Sequence, residues 1–188
     1  MKRLPIWGFV AAFLLQAGLL VYMVADRAVL LAEGKEIRLA VRPVDPRDLL
    51  RGDYVVLSYD ISQLDAAKLG GADDFEAGST VYVSLRSDGE VWQASAMNSE
   101  RTDDGAGAVL RGTIDGKISP PGCSDPCKAY RVTYGLEQFF VPEGKGRDLE
   151  QLRNDQKLAV DIAIDPDGRG AIKRLLVDGQ VRYDTRLF

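Results

Sequence analysis

Arg51-Gly52-Asp53-Tyr54-Val55-Val56-Leu57-Ser58-Tyr59 joins a sharp turn to an alternating apolar run. Arg51-Gly52-Asp53 is the turn, and Tyr54 to Ile61 has the period-2 pattern of a strand. Val55, Leu57, Tyr59 and Ile61 share one face; Tyr54, Val56, Ser58 and Asp60 share the other. Upstream, Asp45 suits a helix N-cap, Pro46 the first helical position and Gly52 a left-handed C′ residue. That spacing predicts one or two helical turns before the strand, with Leu49 and Leu50 packing inward.

Working outward, the same alternation recurs. Ile37, Leu39 and Val41 mark a first strand over Glu36 to Val41. Gln63 to Gly78 is polar, with a short helix expected at Leu64 to Leu69. Thr80 to Arg86 and Glu90 to Met97 flank Asp88-Gly89, a hairpin signal that pairs Leu85 with Trp92, Val83 with Ala94 and Val81 with Ala96. Further strands are expected at Ala108 to Ile114, Lys128 to Tyr134 and Leu158 to Ile164, with a short amphipathic helix near Arg147 to Asp155. A last hairpin, Ala171 to Tyr183, turns at Asp178-Gly179, and the adjacent Leu175 and Leu176 suggest a bulge. About eight short strands with regular turns predict a mainly β domain, either a β-sandwich or a partly open β-barrel, with one or two short helices.

The N-terminus differs in kind. Lys2 and Arg3 precede an uncharged apolar run from Leu4 to Ala25, long enough to cross a bilayer as a helix. Trp7 and Tyr22 stand near its ends, where interfacial aromatics belong, and Gln16 is its only strongly polar side chain. A cleaved signal peptide has a shorter core and a small-x-small site, which Met23-Val24-Ala25 lacks. An uncleaved signal anchor is therefore expected, with residues 1–3 cytoplasmic, 4–25 in the bilayer, 26–35 a helical extension ending at Gly34, and 36–188 an extracytoplasmic domain. The address is the plasma (inner) membrane, in one pass.

Composition narrows the function classes. The 188 residues include no histidine, which excludes Ser-His-Asp triads, Cys-His dyads and His-containing zinc sites. A net charge of −4, with Lys and Arg never in a block, argues against nucleic acid as a partner. No cofactor or metal is expected.

Gly52-Asp53-Tyr54-x-x-Leu57-x-Tyr59 resembles the motif of the GDYXXLXY family, and a second block, Tyr134-Gly135-Leu136-Glu137-Gln138-Phe139-Phe140-Val141-Pro142-Glu143-Gly144, is similar to that family's later segment. The resemblance implies a bacterial, membrane-associated protein whose gene neighbours often encode polytopic membrane proteins. It supplies no catalytic residue.

Three groups remain as candidates for chemistry. Cys123 and Cys127, beside Pro120-Pro121-Gly122, most simply form a disulfide outside the cytoplasm, stabilising by about 2 kcal/mol at most; a redox dithiol or soft-metal pair are the rivals. Asp53, Glu137 and Glu143 invite an acid–base reading if they converge. The blander alternative has Asp53 bonding turn amides and Glu137 pairing with an arginine such as Arg51. Ser58 as a Ser–Lys nucleophile lacks any matching lysine motif. Finally, Tyr54, Tyr59, Tyr130, Tyr134, Phe139 and Phe140 belong by default to the core, but Phe139 and Phe140 cannot both point inward from one strand. One of them, with Tyr54, is expected to form an exposed patch for a partner or for lipid.

The functional expectation is a non-enzymatic accessory or scaffold protein, tethered by its bilayer helix and docked on a polytopic membrane protein. The alternatives are a membrane-bound hydrolase using Asp53 with Glu137 or Glu143, and a ligand-binding or envelope-sensing module.

Overall fold

The computed structural model describes residues 6–42, 54–72, 74–102, 105, 107–119, 128–140 and 158–185. One long helix, α1 (Ile6–Glu33), precedes a mainly β domain. Trp7, Phe13, Leu15, Leu19 and Tyr22 are exposed along α1, and among the described residues it is the one helix long and apolar enough to cross a membrane.

The strands form two principal sheets and a ribbon. The first sheet has the order β13-β12-β11-β1-β3, built from β1 (Lys35–Arg42), β3 (Ser58–Tyr59), β11 (Leu158–Ile164), β12 (Gly170–Val177) and β13 (Gln180–Asp184). The second has the order β4-β9-β8-β6-β7-β5, from β4 (Gln63–Asp65), β5 (Gly70–Gly71), β6 (Thr80–Asp88), β7 (Val91–Asn98), β8 (Ala108–Ile118) and β9 (Ala129–Thr133). β2 (Tyr54–Val56) and β10 (Gln138–Phe140) make the two-stranded ribbon. The result is a curled half-barrel, as the alternation predicted. There are more strands than eight because the run Tyr54 to Ile61 divides between the ribbon and the first sheet, and the short strands β4, β5 and β10 form beside the expected ones.

A single core lies between the sheets. Ile37, Leu39 and Val41 of β1 and Leu158, Val160, Ile162 and Ile164 of β11 meet Val81, Val83 and Leu85 of β6 and Leu110 and Ile114 of β8. These are the apolar halves of period-2 patterns, so burying one face sets each register. The outer face of the first sheet carries charge. Asp161 accepts from Arg38 (2.7 Å) and Arg174 (2.9 Å), and Glu36 from Lys173 and Arg174. Burial works to raise the Asp161 pKa, but hydrogen bonds from Arg38 and Arg174 outweigh it and leave the carboxyl below its usual range.

Several local expectations are corrected. Leu64 to Leu69 is not helical: Gln63–Asp65 pairs with β9 and a turn follows, because Leu64 is needed in the core. The β6–β7 hairpin turns one residue later than predicted, at Gly89-Glu90, with Asp88 opposite Val91. Gly89 has φ 64°, the conformation a two-residue loop wants at its first central position. Leu85 therefore faces Ala94, and a bulge near Ser84/Leu85 brings Met97, not Ala94, opposite Val83. In the final hairpin the turn is at Asp178-Gly179 as expected, and the register shifts between Leu175 and Leu176. β8 runs on to Ile118, four residues past the predicted end. The predicted helical turns at 45–52 and 147–155, and Cys123 and Cys127, lie outside the described residues.

The foot of α1 is fastened to the domain. Leu30 is buried with Ala163 of β11 and Ala171 of β12. Gly34 ends the helix and donates to the Leu30 carbonyl at 3.0 Å. Its role is close approach and not a left-handed backbone: a Cβ there would lie 2.4 Å from the Leu30 carbonyl oxygen and 3.0 Å from the Ala163 Cβ. Beside it, Arg169 grips both Asp26 oxygens at 2.8 and 3.0 Å while its Nε donates to Asp165.

Candidate functional site

The residues around Leu57 and those from Tyr134 to Phe140 form one structure. The predicted strand Tyr54 to Ile61 breaks at Leu57. Before the break, β2 pairs with β10, with Val56 opposite Gln138 and Tyr54 opposite Phe140. After it, β3 pairs with β1, with Tyr59 opposite Val41. A 3₁₀ turn at Asp60–Ser62 follows and delivers the chain to β4 at the edge of the second sheet. Here the Ser62 hydroxyl accepts from the Tyr59 amide, as a capping residue does. A single segment thus crosses from ribbon to first sheet to second sheet within twelve residues, 54–65.

The second block crosses the same seam. β9 ends at Thr133, a turn containing Gly135 follows, and β10 joins β2. The Tyr134 amide donates to the Glu137 carboxylate (2.6 Å), closing that turn, and the Leu57 amide donates to the Glu137 carbonyl (2.8 Å).

Two phenols tie the blocks reciprocally. The Tyr59 hydroxyl donates to the Leu136 carbonyl at 2.5 Å, and the Tyr134 hydroxyl donates to the Ile61 carbonyl at 2.7 Å. Both rings are buried, so each bond also satisfies a carbonyl that water cannot reach. Burial, and then the Glu137 charge, push both phenol pKa values well above the ordinary tyrosine range. They are donors held neutral, which suits clamps and not bases.

The predicted site residues divide accordingly. Leu57, Tyr59, Tyr134 and Phe139 are buried. Phe139 meets Tyr183 edge-on at 6.0 Å. Phe140 is 75% exposed and Val56 38%, so of the Phe139-Phe140 pair it is Phe140 that faces outward. Tyr130 is not on the seam: its hydroxyl accepts from the Phe75 amide and its ring meets Phe75 at 5.5 Å. The Glu137 carboxylate accepts from the Tyr134 amide, three residues back, and Arg51, the arginine expected to pair with it, lies outside the described residues. Gly52, Asp53, the Tyr54 side chain, Pro142, Glu143 and Gly144 lie outside the described residues, and with them the expected convergence of Asp53, Glu137 and Glu143. Among the described residues no three of His, Cys, Asp and Glu are grouped to hold a metal.

A family model described as GDYXXLXY protein matches residues 16–175. The chain belongs to the GDYXXLXY protein family. That match takes in most of α1 and both blocks, and it gives the motif letters a physical meaning. In this GDYXXLXY chain Leu57 fills the core where the strand changes sheets, and Tyr59 fastens the second block. Neither curated proteins nor solved structures yield a match to the chain.

The sequence gives no sign of the cleft between the seam and α1. Arg27 and Leu31 of the helix share a cleft with Leu136, Phe139 and Phe140. Only the position of Asp26 and Arg27 just past the apolar run hints that the foot is built to dock.

Proposed function

We propose that this protein is a membrane-anchored accessory or scaffold subunit that presents the β2–β10 ribbon to a polytopic membrane protein. One observation carries the reading: Phe140, a large apolar side chain, is 75% exposed on a ribbon beside the helix foot. A side chain so placed sits where a membrane protein's outer loops and helix ends would be met. Lys2 and Arg3 before the apolar run favour a cytoplasmic N-terminus, with the β domain on the extracytoplasmic side of the plasma membrane. The fastened foot supports a scaffold role, because it fixes the ribbon's height and bearing. The buried phenols and the Glu137 turn are explained by architecture, so the hydrolase reading gains nothing from them.

A photo-crosslinking amino acid at position 140, activated in intact cells, tests the proposal. Recovery of one polytopic membrane protein from position 140 but not from exposed position 101 is expected. Adducts no more frequent at 140 than at 101 would remove the docking claim. An alkaline-phosphatase fusion after Gly34 checks orientation, and an inactive fusion would reverse it.

A further inference from the structure

Gln16 is the one strongly polar side chain in the apolar run from Leu4 to Ala25. Along the helix axis it stands within about 3 Å of the middle of that run. Its side chain is exposed, and among the described residues nothing bonds its amide. With the run in hydrocarbon, no water reaches that amide. The headgroups past Ala25 lie about 13 Å away, further than a glutamine side chain extends. A polar group on another membrane-spanning helix supplies the missing donor and acceptor.

The fastened foot of α1 decides what kind of helix this is. Arg27 follows Gln16 by eleven residues and Gly34 by eighteen, about three and five turns at 3.6 residues per turn. Both therefore lie on the Gln16 face, and Leu30 lies about 40° from it. That face meets the β domain: Leu30 packs on Ala163 and Ala171, and Arg27 donates to the Gly170 carbonyl at 3.3 Å. The domain thus sits on the same side of α1 as Gln16, beyond the end of the apolar run. A second copy, inserted the same way and facing Gln16, would put its own residues 26–33 where β11 and β12 of this chain lie. A helix that ends near the membrane surface and turns back meets no such obstacle. Ala12, one turn from Gln16 on the same face, is small enough for close approach.

We propose that the Gln16 face of α1 packs in the bilayer against a membrane-spanning helix of a polytopic protein. That helix carries a hydrogen-bonding side chain at the depth of Gln16 and ends short of the β domain. The inference rests on the anchor and the polytopic partner of the proposed function, and is independent of whether Phe140 touches that partner.

The test places a photo-crosslinking amino acid in the full chain at 12 and 23, on the Gln16 face, and at 14 and 21, on the opposite face. Activated in intact cells, positions 12 and 23 should give at least five-fold more adduct with one polytopic membrane protein than 14 and 21. The adduct should map by mass spectrometry to a membrane-spanning segment with a polar residue. Gln16→Leu should lower the adduct from position 12 at least five-fold, and Gln16→Asn should keep part of it. Neither should change resistance to alkaline carbonate extraction or the unfolding midpoint of the domain. Equal adducts from both faces, adducts chiefly between two copies of this chain, or undiminished crosslinking in Gln16→Leu overturn the inference. So does release of the wild type by carbonate, which removes the anchor as well. Position 140 reads the ribbon separately: an adduct from 140 without a face-specific helix adduct sinks the helix pairing and leaves the ribbon docking standing. A face-specific, Gln16-dependent helix adduct without one from 140 supports the pairing and removes the ribbon claim.

Discussion

The seam and the helix foot both join distant parts of this chain, by opposite means. At the seam, two buried hydroxyls donate to two buried carbonyls, from Tyr59 to Leu136 and from Tyr134 to Ile61. At the foot, a small apolar contact of Leu30 with Ala163 and Ala171 is rimmed by the Arg169–Asp26 ion pair. The Arg169 and Asp26 side chains are 40% and 34% exposed, whereas Tyr59 is fully buried. Losing a buried partner leaves a carbonyl that water cannot satisfy, while water and salt compete readily for an exposed ion pair. The seam is therefore the cooperative centre of the domain, and the foot is a local fastening that opens without unfolding it.

Substitutions should separate the two in graded fashion. Tyr134→Ala removes a buried ring and its clamp, and is expected to cost about 3–5 kcal/mol of global stability in a denaturant titration. Gly34→Ala comes next, at about 1–3 kcal/mol, because the new Cβ meets the Leu30 carbonyl and the Ala163 side chain. Its signature is faster hydrogen exchange in the last turn of α1, and a purely global effect would blur the contrast. Tyr59→Phe keeps the ring but strands the Leu136 carbonyl, at about 1–2 kcal/mol. Arg169→Gln is the mildest. It should leave the unfolding midpoint unchanged and raise protease cutting near 26–34, an increase that added salt reproduces in the wild type.

pH sharpens the same contrast. Free tyrosine ionises near pH ~10, and both clamp phenols are raised above that in the folded protein. Above pH ~10 the unfolded chain releases protons that the folded one retains. Their contribution is therefore whole below that pH and falls as pH rises toward the folded values. The double variant Tyr59→Phe with Tyr134→Phe should flatten this alkaline decline. Asp161 acts in the opposite range: its lowered pKa makes its contribution whole above about pH 4 and lost as acid protonates it.

Much of this architecture was legible in the chain. The alternation at Ile37-Leu39-Val41 and at Leu158 to Ile164 placed β1 and β11 and their inward faces, because period 2 records burial directly. The exposed member of Phe139-Phe140 was foreseeable as a pair but not as a choice, since parity depends on where β10 begins. The break at Leu57 was hidden, because a strand that changes partners keeps its alternation. The β6–β7 register differs from the expected one by one turn position, because Asp88-Gly89 and Gly89-Glu90 both supply a glycine. The Tyr–carbonyl clamps and the Arg169–Asp26 pair join residues 73 to 143 positions apart, and backbone carbonyls leave no mark in side-chain sequence.

In the proposed role, the seam holds Phe140 at the membrane surface for a partner. Affinity purification of the full chain from its native membranes in mild detergent tests it, comparing wild type with Phe140→Asp. One polytopic membrane protein should co-purify with the wild type, and at least ten-fold less of it with Phe140→Asp at an unchanged unfolding midpoint. Undiminished recovery with Phe140→Asp, or no such protein with the wild type, would contradict it.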